Sequence, residues 1–331
     1  MKYLQLKLAE FLSRWFPRKL GYGIARRIAD LYLILDRHGR ESVMANLQRI
    51  HQGGGVQLSP RALHSLAREN FLNFAKYVVD FFHFLRLDPN RVKRLIDFGT
   101  VRDVLDELQA HGKGVIILSA HLGNWELGAA ALAATGYKLN AVVLRPPDAK
   151  LNNLYQRQRI ERQMNPIPLG RAARECIAAL RRNEIVAVVG DRDFTASRET
   201  VEFFGQPARL PSGPAKLALA TGAPILPVFM IRQPNDSFTY VVEEPIWADK
   251  TRETVGDVMR RIALVLEKVI RQHSEQWFLF HNLWDIEEDR ELATAAAFGT
   301  PTGVEAAVPA AKMRREASET DAATSSRHAH E

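Results

Sequence analysis

From Gly114 onward, short apolar and β-branched runs alternate with helical patterns, and this alternation constrains the fold more than any other feature. The runs cover residues 115–119, 141–144, 185–189, 201–204, 225–231 and 238–242. Helical patterns fill several of the gaps, at 124–134, 150–164, 171–182 and 213–221, and one more amphipathic helix is expected over 251–274. Parallel strands need a crossover between them, usually a helix, so the expected fold is α/β with a mostly parallel central sheet covered by helices. Residues 1–97 read as an N-terminal helical segment that packs on the core and meets a membrane interface. Residues 98–290 read as the α/β core. Residues 291–331 lose all periodicity, turn rich in Ala, Thr, Ser and Glu, and are expected to be a disordered tail.

The N-terminal segment has its own signature. Residues 1–50 hold ten basic and four acidic side chains, so this stretch carries +6 of the formal +7 of the chain. Leu4, Leu8, Phe11, Leu12, Trp15, Phe16 and Leu20 are interleaved with these charges. A basic amphipathic helix with aromatics on its apolar side suits an anionic lipid interface, at about 1 kcal/mol per cation; packing on the protein's own core is the alternative. No stretch of eighteen uncharged apolar residues exists, so no membrane-spanning helix is expected, and no cleavable signal pattern opens the chain. Further along, Ser59-Pro60 reads as N-cap and first-turn proline of a helix loaded with Phe71, Phe74, Tyr77, Phe81, Phe82 and Phe84, most of them core.

Chemistry concentrates at Gly114-Val-Ile-Ile-Leu-Ser-Ala-His121-Leu-Gly-Asn-Trp-Glu126. A histidine five residues before an acid is weak by itself, because His64/Glu69 and His83/Asp88 repeat it inside helical patterns, where that separation splays the side chains about 140° apart. His121 differs because it follows a buried-type strand and precedes a turn at Gly123 and Asn124, the position where α/β sheets present functional groups to a crevice. There Glu126 is expected to reach one ring nitrogen, fixing the tautomer, while the other nitrogen takes a proton from a substrate hydroxyl. Backbone donors near Gly123 are expected to steady an oxyanion. No nucleophile elbow, phosphate loop, dinucleotide fingerprint or metalloprotease helix is present, and the lone Cys176 falls mid-helix, more consistent with a core residue than a nucleophile.

Other groups join as candidates. Gly190-Asp191-Arg192-Asp193 ends the run at 185–189, on the same rim as His121 if the strands are parallel; Arg192 is a candidate phosphate grip, with Asp191 or Asp193 orienting it, and a salt-bridged loop is the alternative. Ser212 and Gly213 open a helix whose N–H groups form a candidate anion site, Ser212 equally being an N-cap. Arg157, Arg159, Arg162, Arg171, Arg174, Arg181 and Arg182 form a basic region suited to an acidic carrier protein or to plain solvation.

Six elements in order carry a family resemblance: His121-Leu-Gly-Asn-Trp-Glu126, Val143-Leu-Arg145-Pro146, Gly190-Asp-Arg-Asp193, Val201-Glu202-Phe-Phe-Gly205, Pro211-Ser-Gly-Pro214 and Gly222-Ala-Pro-Ile-Leu-Pro-Val228. Over about residues 20–285 the chain resembles the bacterial lipid A biosynthesis acyltransferases, within the wider lysophospholipid acyltransferase fold. The resemblance implies transfer of a fatty acyl chain from an acyl carrier protein or CoA thioester to a hydroxyl of a lipid A precursor, without metal or cofactor. It maps the family's catalytic pair onto His121 and Glu126 and makes Arg145 a candidate holder of an anionic headgroup. Gly123, Asn124, Asp191, Arg192, Asp193, Glu202, Arg209, Ser212 and Gly213 complete the candidate substrate-binding set. Peripheral attachment to the cytoplasmic face of the bacterial inner membrane is implied, because the N-terminal membrane helix common in the family is replaced by a charged amphipathic stretch. The Gly190–Asp193 and Val201–Gly205 elements are also similar to phosphatidylinositol mannoside acyltransferases, the alternative acceptor class. A non-catalytic anionic-lipid binder is the alternative of another kind; a nucleic-acid partner is not expected, since only net charge points to one.

Overall fold

The computed structural model describes residues 17–84, 94–144, 149–192 and 197–285. The proposed tail beyond residue 290, the aromatic stretch before Pro17, Arg145 and Asp193 lie outside the described residues.

The first described elements are the helices α1 (Arg18–Leu35), α2 (Arg37–Gln52) and α3 (Pro60–His83). As expected, Pro60 opens α3 and the Ser59 hydroxyl accepts from the Ala62 N–H at 3.3 Å. After them come β1 (Ile96–Asp97), α4 (Val101–Ala110), β2 (Val115–Ser119), α5 (Trp125–Ala134), β3 (Leu139–Val143), α6 (Ala149–Glu161), β4 (Asn165–Pro168), α7 (Ala172–Arg181) and β5 (Ile185–Val189). A hairpin, β6 (Arg198–Phe203) and β7 (Gln206–Pro211), then leads to α8 (Gly213–Thr221), β8 (Ile225–Arg232), β9 (Phe238–Val242) and α9 (Val255–Gln272).

The main sheet runs β1-β9-β8-β2-β5-β3-β4. Neighbours from β8 through β4 are parallel, whereas β9 runs antiparallel to β8 and carries β1 with it. β2 is buried at every position, as a central parallel strand covered on both faces must be. Its alternate residues feed two cores. Ile116 and Leu118 join Cys176, Leu180, Ile262 and Leu266 of α7 and α9 on one face. Val115 and Ile117 join Leu105, Leu127 and Ala131 of α4 and α5 on the other. β4 contains Pro166 and Pro168 and sits at the sheet edge, where a residue without an N–H leaves no ladder bond unmade.

The expected strand at 201–204 exists, but as part of a separate two-stranded ribbon with β7 rather than of the parallel sheet. Glu202 and Arg209 point outward from that ribbon, on exposed positions that alternate with buried Val201, Phe203, Ala208 and Leu210.

A buried polar network fixes α1 and α3 to the sheet. Asp80 of α3 accepts from the Tyr22 hydroxyl at 2.6 Å and from Arg232 of β8 at 2.6 Å, and Arg232 also donates to the Tyr22 oxygen at 2.8 Å. Arg18 adds a second cation 3.6 Å from Asp80. Removing one partner from a buried ion pair strands the other charge. The variant Asp80→Ala is therefore expected to lose about 3–5 kcal/mol of unfolding free energy in urea titrations, whereas Arg37→Ala, which breaks an exposed helix pair with Glu41, is expected to leave it nearly unchanged.

Candidate active site

The strand register builds the site. β2 and β5 pair in parallel with Ser119 opposite Val189, so His121 and Asp191 each lie two residues past the same rung, at the carboxyl end of the sheet. Both turns carry a closely approached glycine, and the one at 123 requires it. At Gly190 an added Cβ would sit 2.5 Å from Leu118 Cδ1. At Gly123, φ is +62° and an added Cβ would lie 2.1 Å from the Met230 carbonyl oxygen.

Asp191, not Glu126, is the carboxylate against the imidazole. The Asp191 Oδ1 lies 2.9 Å from His121 Nδ1, and its Oδ2 accepts the His121 backbone N–H at 3.0 Å and the Trp277 indole N–H at 2.8 Å. Burial would raise the Asp191 carboxyl, but the charge of His121 and these hydrogen bonds outweigh it and hold the group below its ordinary range. An ionised carboxylate only accepts, so Nδ1 carries the proton, and whenever the ring is neutral the lone pair is on Nε2. The His121 side chain is 21% exposed, while that of Asp191 is fully buried. This is the geometry of an oriented general base.

Glu126 takes a different partner. Its carboxylate is ion-paired to Arg159 at 2.5 Å. Burial opposes ionisation there too, yet Arg159, with help from Arg162 and His121, keeps the acid below its ordinary range. Glu126 thus stands near the imidazole as a neighbouring charge while Asp191 makes the ring contact. The reason is geometric: Glu126 lies in the first turn of α5 behind Trp125, whose ring meets the His121 ring edge-on at 5.0 Å. Trp125 in turn stacks on Tyr77 of α3 at 4.5 Å, which puts an aromatic ring of α3 near the imidazole.

The expected oxyanion donors near Gly123 are already used. The Gly123 N–H bonds to the Gln276 carbonyl and the Asn124 N–H to the Met230 carbonyl, at 2.9 and 2.8 Å. Asn124 instead caps α5, its Oδ1 accepting from the Leu127 N–H at 3.1 Å. The N–H groups of Trp125 and Glu126, in the first turn of that helix, have no intrahelical acceptor and point where an anion is favoured.

Ser212 holds the N-cap position of α8, its carbonyl accepting from the Lys216 N–H at 3.0 Å, but its side chain does not cap the helix. Fully buried, it donates to the Ser197 carbonyl at 2.9 Å and makes no capping bond to α8, which starts at Gly213. Cys176 is buried, and burial followed by the charge of Glu175 pushes its thiol up to about 12, as a core residue. His64 and Glu69 both lie within α3, as their helical spacing implied. Of the basic region, Arg157, Arg171 and Arg182 pair at the surface with Glu161, Glu175 and Glu184, whereas Arg159 and Arg162 turn inward.

Sequence reasoning missed the segment 276–281. It returns after α9 to bridge Leu122 through Trp277, accept from Gly123 and donate from the Phe278 N–H to the His121 carbonyl at 2.8 Å. His281 of the same segment is buried, and burial, Arg192 and His121 hold its imidazole well below the ordinary range, so it is neutral in the fold. The dense run Trp277-Phe-Leu-Phe-His281 was the available signal, but it has no periodicity.

With this geometry in view, comparison with known proteins decides the family. The family model described as bacterial lipid A biosynthesis acyltransferase matches residues 7–285. The chain belongs to that family. It is an acyltransferase. Similar proteins include a phosphatidylinositol mannoside acyltransferase of Mycobacterium tuberculosis, 28% identical over 267 residues that cover 77% of this chain and 81% of the relative. A phosphatidylinositol mannoside acyltransferase of Mycolicibacterium smegmatis is 29% identical over 195 residues, 57% of this chain and 62% of the relative.

In this acyltransferase the neutral His281 has a pH signature. Unfolding frees its imidazole to bind a proton below the ordinary value of 6.5, while the folded group resists until lower pH. Stability is therefore whole above that value and is lost as pH falls below it. The variant His281→Phe is expected to flatten the fall in urea-measured stability between about pH 6.5 and pH 5, by up to about 1.4 kcal/mol per pH unit; an unchanged slope would count against the buried neutral state.

Proposed function

We propose that this protein moves a fatty acyl chain from an acyl carrier protein or CoA thioester to a hydroxyl of a lipid A precursor, with His121 as general base. The single observation that carries this reading is the His121 ring held through Nδ1 by buried Asp191. His121 Nε2 takes the acceptor's hydroxyl proton as the oxygen attacks the thioester carbonyl, and the negative charge collects on the carbonyl oxygen. The N–H groups of Trp125 and Glu126 are the proposed oxyanion donors, at the positive end of α5. Collapse re-forms the carbonyl and breaks the C–S bond, and the imidazolium returns the proton to the departing sulfur. Asp191 positions the ring and stabilises its charged form. Among the described residues no group of three or more metal-ligating acids, His or Cys gathers, and the proposed steps call on none.

Attachment to the membrane surface belongs to the same proposal. No described helix is long and apolar enough to cross a bilayer. Yet α1 carries six of the ten large hydrophobics that are exposed among the described residues: Leu20, Ile24, Ile28, Leu31, Ile34 and Leu35. Its buried residues are Tyr22, Ala25, Ala29 and Leu33; at 100° per residue the two sets face in roughly opposite directions. With exposed Lys19, Arg26 and Arg27 on the same helix, the outer face suits peripheral binding to the anionic cytoplasmic leaflet.

The names of the mycobacterial relatives support a second acceptor, a phosphatidylinositol mannoside. Lipid mass spectrometry with and without the gene separates the two: loss of one acyl chain from lipid A supports the first reading, and a change confined to mannosylated phosphatidylinositol replaces it. In purified protein, His121→Ala is expected to lower turnover of labelled acyl donor by about 100-fold to 10,000-fold, and undiminished turnover would exclude the base role. Ile24→Asp together with Leu31→Asp is expected to weaken sedimentation with phosphatidylglycerol vesicles while leaving the urea midpoint in place; equal sedimentation would move the lipid contact elsewhere.

A further inference from the structure

The carboxylate behind the base is held by a segment that returns from far along the chain. Trp277, 86 positions beyond Asp191, is buried, and its indole N–H donates to Asp191 Oδ2 at 2.8 Å. The His121 backbone N–H donates to the same oxygen at 3.0 Å, while Oδ1 faces the ring at 2.9 Å. An indole N–H only donates and does not ionise, so Oδ2, with two donors on it, has no place for a proton. Against burial, the charge and ring bond of His121 act first, and the Trp277 and backbone bonds add to them in holding the Asp191 carboxyl below its ordinary range.

Trp277 is itself fixed from several directions. Asn70 of α3, fully buried, donates from Nδ2 to the Trp277 carbonyl at 2.7 Å. The Gln276 side chain exchanges two bonds with the Arg232 backbone of β8, at 2.9 and 3.0 Å, and the Phe278 N–H donates to the His121 carbonyl at 2.8 Å. Asn73 of α3 and Asn46 of α2 hold the same segment at the carbonyls of Glu275, Leu279 and His281. Packing alone would keep the segment in place, since Phe278 and Phe280 both meet Phe74. Apolar contacts tolerate sliding, however, and buried hydrogen bonds do not. The asparagines therefore fix the height and direction of the indole, not merely its burial.

We propose that Trp277 is a positioning residue of the general base: its indole N–H fixes the rotation of the Asp191 carboxylate and draws part of its charge away from the His121 ring, and Asn70 sets the place of the indole. Without that N–H, Oδ2 keeps one donor in a site sealed from water, and more of the carboxylate charge falls on the Nδ1–H contact. The imidazolium is then favoured, so the ring is less often free to take the acceptor's proton. The other ionisable groups around the ring are Glu126 on α5 and His281 on the returning segment, with Arg192 acting on His281; all three stay in place in the variants below. The consequence for turnover rests on the acyl-transfer reading above, whereas the effect on the ring does not.

The test uses full-length protein carrying nitrogen-15 histidine, the His121 ring signals being those that disappear in His121→Ala. In Trp277→Phe the pH midpoint of these signals is expected to rise by about half a unit to one unit. With labelled acyl-CoA and extracted membrane lipid, the acid limb of kcat/KM is expected to move up by the same amount, and the plateau to fall about tenfold. Phe280→Leu, which loosens the same segment without touching a bond to Asp191, is the packing control, expected to lower the urea midpoint and leave the pH midpoint in place. A slower Trp277→Phe whose pH midpoint is unmoved or lower, or a rise that Phe280→Leu shares equally, overturns the proposal. If Trp277→Phe does not fold, Asn70→Ser decides: a smaller rise in the same direction is expected, and no rise overturns it. Should the wild type acylate no lipid, the acyl-transfer reading falls, and the ring-nitrogen midpoint still decides the role of the indole.

Discussion

The in-register pairing of β2 with β5 is what the rest of the site depends on. Ser119 lies opposite Val189, and two residues further along each strand the chain delivers His121 and Asp191 to the same rim. Side chains alternate faces along a strand, so a slip of one residue would send one of these groups to the other face of the sheet. The slip is resisted because both faces of β2 and β5 are buried in different cores. Asp191 then gathers three donors from two distant segments, the backbone and ring of His121 and the indole of Trp277. Such a carboxylate is fully satisfied by the fold before any substrate arrives, which is the preorganisation that a base needs.

The two carboxylates near the imidazole divide their work by environment. Asp191 is sealed and bonded to the ring, so its charge offsets the imidazolium directly. Glu126 is ion-paired to Arg159 and feels the charges of Arg162 and His121, so cations other than the ring contact offset its charge. A buried carboxylate behind the ring suits the proposed reaction, which creates a cation on His121 as the acceptor attacks the thioester.

Much of this was legible in the sequence, for identifiable reasons. β2, β5 and β8 announce themselves as continuous apolar runs because central parallel strands are buried on both faces. His121 and its turn were visible because glycine at 123 marks a bend that no other residue tolerates. The partner of the ring was not, since Asp191 is 70 positions away and only strand pairing brings it close; proximity in sequence favoured Glu126 instead. Likewise, the N–H groups at Gly123 and Asn124 looked available because the carbonyls that use them, at Gln276 and Met230, arrive from far along the chain. β4 was hidden by its two prolines, which argue against a strand everywhere except at an edge.

The N-terminal helix adds a constraint that burial alone does not supply. α1 is apolar on two opposed faces, so hydrophobicity does not decide which one turns inward. Polar bonds do. Tyr22 lies on the packed face, where its hydroxyl donates to Asp80 and accepts from Arg232. Turning the helix over would bury Leu20, Ile24 and Leu31 well enough, but it would leave Asp80 and Arg232 without the Tyr22 hydroxyl in a region sealed from water. A neutral core contact would tolerate either orientation; a hydrogen-bonded buried charge pair does not. The network thus has a role beyond stability: it commits the second apolar face to the outside, where the proposed lipid surface is the partner that makes such exposure favourable.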